Sequence, residues 1–166
     1  MLLVYDRILS SVFSFEIDSE IQTRIGGEIV MKKLRAGNIW SGSRTLAVFT
    51  NPTTLAKRKG NLKHDYPVMF RGKRYVDAEA AYQQVKRTGP WLSVAERERL
   101  MVKVIIAKLE QYPLLVETIT DNGGLAWLEK CSHVVNGRSS WEGIGRKSGF
   151  IRCLIAAHKH MEVRLS

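Results

Sequence analysis

The stretch from Ser93 to Pro113 constrains the fold of this chain more than any other. Ser93 followed three residues later by Glu96 is a capping-box signature, in which each end of the motif satisfies a free amide of the other. Leu100, Met101, Val104, Ile105 and Leu109 recur at helical spacing, and Pro113 stops the run. A helix with such a stripe is stable only against a partner surface, so it is expected to be a core helix. With 166 residues, 45% of them hydrophobic and 25% charged, the chain has the length and balance of one globular domain.

Other segments are placed around that helix. Arg44–Phe49 reads as a strand ended by the turn residues Thr50-Asn51-Pro52. Residues 55–65 read as a basic loop, with Lys57, Arg58, Lys59, Lys63 and His64 around Gly60-Asn61. Val68–Phe70 and Tyr75-Val76 flank Arg71-Gly72-Lys73-Arg74 as a hairpin with a cationic turn. A helix is expected over 113–120, a turn at 121–124 and a short element from Leu125. Phe150, Ile151, Leu154, Ile155 and Ala157 form a closing amphipathic helix that runs into His158-Lys159-His160, read as basic surface residues. Residues 1–36 carry no functional motif. Met31-Lys32-Lys33-Leu34 resembles a translation start, which would make 1–36 an accessory extension before a domain at 37–166.

Charge narrows the partners. Twenty-six basic residues against 16 acidic give a formal net charge of +10. That excess favours a polyanion, DNA or RNA, although small basic proteins without a specific partner are also common. Cys131 and Cys153 lack a CxxC pair or a histidine at ligand spacing, so neither a zinc site nor a disulfide framework is indicated; buried free thiols in a reducing cytosol fit better. No run approaches the ~20 apolar residues that span a bilayer. Asp6 argues against a secretory signal, and a cytoplasmic location is expected.

The chemistry-bearing segment is Tyr75–Lys86. Asp77 suits an N-cap, and the following helix stacks Glu79, Gln83 and Lys86 at i, i+4 and i+7 on one face. That is a carboxylate, an amide and an ammonium over two turns. The commoner use of such spacing is a solvated surface ion pair. Trp141–Gly149 is a glycine-rich turn before the last helix, where Gly143, Gly145, Arg146 and Lys147 suit close approach to an anion. It lacks the preceding strand of a dinucleotide fingerprint. There is no serine elbow, Cys–His pair or P-loop. A carboxylate beside a cationic cradle suits cleavage through an oxocarbenium-like transition state.

These motifs, in this order, resemble the NADAR (YbiA-like) family of N-glycosidases. The resemblance rests on Phe49-Thr50-Asn51, Arg71-Gly72-Lys73-Arg74-Tyr75, Ala78-Glu79-Ala80 with Gln83 and Lys86, Met101 with Lys108-Leu109-Glu110-Gln111, Leu128-Glu129, and Trp141–Gly145 with Leu154-Ile155. It covers about residues 44–160. The chain departs from the pattern at Ala80, where a histidine is expected, at Glu142, where a glycine is expected, and near Ser148, where an asparagine is expected. The resemblance implies an α+β fold, a single helix-rich domain with a small antiparallel sheet, and hydrolysis of N-glycosidic bonds. Similar members act on phosphorylated riboflavin-pathway intermediates or remove ADP-ribose from guanine bases.

The expectation is therefore a hydrolase of a base–sugar bond, needing no metal or cofactor, with modified or ADP-ribosylated DNA or RNA as the favoured target. Glu79 and Lys86 are the candidate catalytic residues, with Lys86 open between a nucleophile that forms an imine and a phosphate clamp. Asn51, Gln83, Trp141, Gly143, Gly145 and Arg146 are the candidate substrate contacts. Lys57, Arg58, Lys59, Lys63, Arg71, Lys73 and Arg74 are the candidate nucleic-acid contacts. The alternatives are a glycosidase for a small phosphorylated nucleoside or riboflavin-pathway metabolite, and a non-catalytic module that binds ADP-ribose or nucleic acid.

Overall fold

The computed structural model describes residues 22–25, 28–31 and 33–166. Most of the expected 1–36 extension lies outside these residues. Within it, β1 (Gln22–Ile25) and β2 (Glu28–Met31) pair antiparallel. The folded body reaches back to Leu34, which is buried; its amide donates to Asn122 Oδ1 (2.6 Å), and its carbonyl accepts from Trp127 Nε1 (3.2 Å).

Residues 44–49 are not a strand. They form turns and a single 3-10 turn over Ala47–Phe49. Leu46, Ala47, Val48 and Phe49 are all buried, as are Thr50 and Asn51. A strand would turn alternate residues to opposite faces, and an unbroken apolar run is ambiguous between strand and buried helical turn. The following basic segment also begins as structure, because α1 covers Thr53–Arg58 before the chain loops through Gly60.

β3 (Val68–Phe70) and β4 (Lys73–Tyr75) form the expected hairpin, but Lys73 and Arg74, read as part of its turn, lie in β4, with Phe70 opposite Lys73 and Met69 opposite Arg74. Arg71 (φ 51°) and Gly72 (φ 76°) supply the two left-handed residues of a two-residue turn, matching the twist of the strands. Gln111 extends this pair sideways, accepting from Met69 N (2.8 Å) and donating to Met69 O (3.0 Å).

α2 (Ala78–Thr88) starts at Asp77, as expected, but the buried Asp77 carboxylate does more than cap it. One oxygen accepts from Ala80 N (2.9 Å), and the other accepts from Thr54 N at the start of α1 (3.0 Å). One side chain thus fastens the beginnings of two helices. α3 (Val94–Gln111) carries the capping box: Ser93 Oγ accepts from Glu96 N, and Glu96 Oε2 accepts from Ser93 N (2.7 Å).

α4 (Pro113–Asp121) and α5 (Gly124–Lys130) follow, joined at Gly123. β5 (Ser132–His133) then pairs antiparallel with β6 (Gly143–Ile144), and Asn38 makes a parallel bridge to Ser132. α6 (Gly149–Leu165) packs along α3, so the stripe read from the sequence closes on Ile151, Leu154 and Ile155. Each such aliphatic side chain contributes roughly 1.5–3 kcal/mol on full burial. His158 is buried against α4 rather than on the surface. Its Nε2 is 3.2 Å from Thr120 Oγ1, and burial lowers its pKa, while Glu162 opposes that shift. His160 is exposed.

The arrangement is mostly helical with short antiparallel strand pairs, an α+β organisation. No helix among the described residues is long and apolar enough to cross a membrane.

Candidate active site

The ties just described converge on one place. Asp77 pins the start of α1 to that of α2, and Glu79 N donates to Asn51 O (3.3 Å). Asn51 and Glu79 are thereby held side by side although 28 positions of sequence separate their numbers. They open onto a cleft of about 390 Å3, lined also by Tyr82, Gln83 and Lys86 from α2, by Met101 from α3, and by Trp141. The far wall is His133, the loop residues Val135, Asn136 and Ser139, and Glu142.

Five residues singled out from the sequence thus meet here: Asn51, Glu79, Gln83, Lys86 and Trp141. Gln83 Nε2 donates to Glu79 Oε1 (2.7 Å), which orients the carboxylate. Among the described residues no ion pair joins Glu79 to Lys86. The Lys86 ammonium lies over the Tyr82 ring, 5.2 Å from its centroid. Tyr82 in turn meets Trp141 edge-on, with ring centroids 6.0 Å apart. Burial raises the Tyr82 pKa, with the Arg97 charge opposing and Glu79 adding to the shift.

Asn51 is buried, and its Nδ2 points at Met101 Sδ while its Oδ1 has no partner. Thr50 Oγ1, from the adjacent lining residue, is also buried without one. A buried polar atom left unpaired costs about 1–3 kcal/mol, so two of them on a cleft wall mark a place where a ligand has something to satisfy.

Two residues that shape this geometry are not among the candidate site residues read from the sequence, where Lys108 enters only as part of a motif. Lys108 is 2% exposed, and its ammonium donates to Val48 O (2.6 Å) and Thr50 O (2.7 Å), clamping the turn that carries Asn51. Burial pushes its pKa down to about 7, against the pull of Asp77. Its signal was legible: a lysine four positions after Val104, on the apolar stripe of α3. The second is His133. Its Nδ1 donates to Ile39 O (2.7 Å), and its ring rests on Phe150 at 4.7 Å between centroids. With Nδ1 engaged by a carbonyl, Nε2 is the ring nitrogen left for a further partner, and His133 lines the cleft.

The glycine-rich turn departs from its expected role as an anion cradle. Gly145 (φ 52°) is needed because a Cβ there would sit 2.4 Å from Glu129 O, so the turn packs on the end of α5. Arg146 pairs with Glu129 (2.6 Å), and neither Gly143, Gly145 nor Arg146 lines the cleft. The amides that open α6 are occupied: Gly149 N donates to Ser140 O, Phe150 N to Trp141 O, and Ile151 N to Ser148 Oγ. Converging amides occur instead in residues 135–139, where Glu142 accepts from Val135 N (2.6 Å), Asn136 N (2.8 Å) and Arg138 N (2.8 Å). These bonds lower the Glu142 pKa and hold the loop against the cleft.

None of the seven expected nucleic-acid contacts lines the cleft. Lys57 pairs with Asp65 (2.7 Å), and Lys59 donates to Ser41 Oγ (2.8 Å) over the Trp40 ring. Arg71 lies over Phe70 and Lys73 over Tyr75, while Arg58, Lys63 and Arg74 are exposed. Among the described residues no group of three His, Cys, Asp or Glu side chains is placed to hold a metal ion. The chain matches no model of a known protein family, no curated protein and no solved structure.

Proposed function

We propose that this protein is an N-glycosidase, resembling the NADAR (YbiA-like) enzymes, that hydrolyses a base–sugar bond in nucleic acid or in a nucleotide derived from it. The reading rests on one observation above all: Asn51, Glu79, Gln83, Lys86 and Trp141 share a single cleft. In the proposed reaction Glu79, steadied by Gln83, opposes the positive charge that develops at C1′ as the base departs. Asn51 Oδ1 accepts a hydrogen bond from the sugar or base. Trp141, braced by Tyr82, offers a face for the base, a contact worth ~1–3 kcal/mol in single-strand binding.

His133, which also lines the cleft, offers Nε2 as a proton acceptor for the attacking water. The neutral amine of Lys86 either attacks C1′ as the C1′–base bond breaks and the base departs with a proton, the sugar ring then opening at C1′–O4′ to give an imine that water hydrolyses, or the ammonium holds a phosphate. The ammonium lies over the Tyr82 ring. A base inside a duplex would have to be flipped out to reach this cleft. The net charge of +10 favours a polymeric polyanion over a free metabolite.

The test is incubation with ordinary, base-modified and ADP-ribosylated DNAs and RNAs, with mass spectrometry of released small molecules. Release of a free base or of ADP-ribose supports the reading, and no release from any of them refutes it. Borohydride reduction during turnover separates the roles of Lys86: a covalent adduct at Lys86 assigns the nucleophile, and an active enzyme without an adduct assigns the clamp.

A further inference from the structure

Trp91 is 81% exposed, the most exposed large hydrophobic side chain among the described residues. Trp127 is buried, and Trp40 and Trp141 are half-buried. An indole left in water is unfavourable. Trp91 follows Gly89-Pro90, directly after the end of α2, where Gly89 N closes on Val85 O, and it precedes the capping box that starts α3. Arg97 Nε donates to Leu92 O (3.1 Å), which fixes the guanidinium 6.0 Å from the Trp91 ring centroid. The platform is an aromatic face with a cation beside it, between two capped helix ends.

The platform follows directly on α2, whose Glu79, Tyr82, Gln83 and Lys86 line the cleft. Lys86 and Arg87 fill the last turn of α2, and Lys86 lines the cleft. The two acids on the first turns of α3 are engaged, Glu96 by Ser93 and Glu98 by Arg152. Lys86, Arg87 and Arg97 have no carboxylate partner among the described residues. By contrast, in the 57–74 segment Lys57 is already paired with Asp65, and none of the seven cations there lines the cleft.

We infer that Trp91, with Arg97 and Arg87, is the surface that grips single-stranded nucleic acid beside the cleft, a flanking base stacking on Trp91 while the cations take the backbone phosphates. An aromatic face flanked by unpaired cations is the combination that binds single strands without reading their sequence. This deepens the proposed function, on which its orientation toward the cleft rests, by naming a polymeric, single-stranded or locally opened substrate and the contact outside the reacting nucleotide.

The experiment is fluorescence-anisotropy titration of a short labelled single-stranded DNA, and of its RNA counterpart, with the full chain at several salt concentrations. Trp91→Ala is expected to weaken binding about 5- to 150-fold, the range of one lost stacked base, and Trp91→Phe to recover most of it. Arg97→Gln is expected to make binding less salt-dependent. Wild type that fails to bind the strand, or Trp91→Ala that binds it as tightly as wild type, overturns the inference. So does a paired Lys57→Ala, Lys59→Ala variant that loses as much as Trp91→Ala. The readout is binding alone, so it is distinct from the glycosidase test. Trp91-dependent binding by a protein that releases no base refutes the proposed function and leaves this surface standing.

Discussion

Lys108 allows a sharp test of how the cleft is built, because its protonation links stability to pH. The perturbation is Lys108→Met, close in volume and unable to donate. Removing the ammonium leaves Val48 O and Thr50 O without their donor, a cost of about 1–3 kcal/mol each. It also removes the penalty of holding a buried charge. With the folded pKa near 7 against an ordinary 10.5, that penalty is about 5 kcal/mol below pH 7, at roughly 1.4 kcal/mol per unit. The two nearly cancel in acid, so the absolute change at one pH decides little.

The slope decides it. Between pH 7 and 10.5 the unfolded chain keeps the Lys108 proton and the folded one has lost it, so stability rises with pH across that window and is flat below it. Wild type is expected to gain about 2 kcal/mol relative to Lys108→Met between pH 7 and 8.5, or about 4–8 °C in Tm for a chain of this size. Taking the difference between the two proteins removes other groups, including Cys153 and Tyr112, whose burial pushes each up to about 12 and lowers stability at higher pH. Urea unfolding at several pH values from 6 to 8.5 measures it. Parallel stability curves for the two proteins across that range would refute the reasoning, since Lys108 would then hold its proton throughout.

Three further outcomes follow from the geometry. Asp77→Ala removes acceptors from the first turns of both α1 and α2 and should cost about 2 kcal/mol or more, read as a lowered Tm; an unchanged Tm removes Asp77 as the tie between them. Glu142→Gln should speed amide hydrogen exchange at residues 135–139, and wild type should show the same loosening as pH falls through the lowered Glu142 pKa; equal exchange in both proteins would show that the loop is held otherwise. His133→Asn should lower turnover about 100-fold, while an unchanged turnover excludes His133 as the base.

What the sequence made legible was local. The Ser93–Glu96 box, Asp77 as a cap, the β3–β4 turn and the stripe of α3 each depend on residues within a turn or two, and all appear in the structure. The stacking of Glu79 over Gln83 is equally local, and it survives as a hydrogen bond. The misreadings came where burial is set from far away. Leu46–Phe49 looks like a strand until it is seen enclosed on all sides, and His158 looks exposed until α4 packs over it. The glycine turn suggests free amides at the start of α6, but Ser140, Trp141 and Ser148 take them. His133 reaches the cleft only because Ser132 pairs with both Asn38 and Ile144, contacts no window of sequence contains.

The most direct test of the central claim compares wild type with Glu79→Gln on whichever nucleic acid yields a released base or ADP-ribose, after matching their Tm values to exclude misfolding. A loss of at least ~100-fold in the release rate is expected, the usual effect of removing one transition-state electrostatic contact. An equal rate in the two proteins would contradict it, because the carboxylate around which the cleft is built would then take no part in breaking the bond.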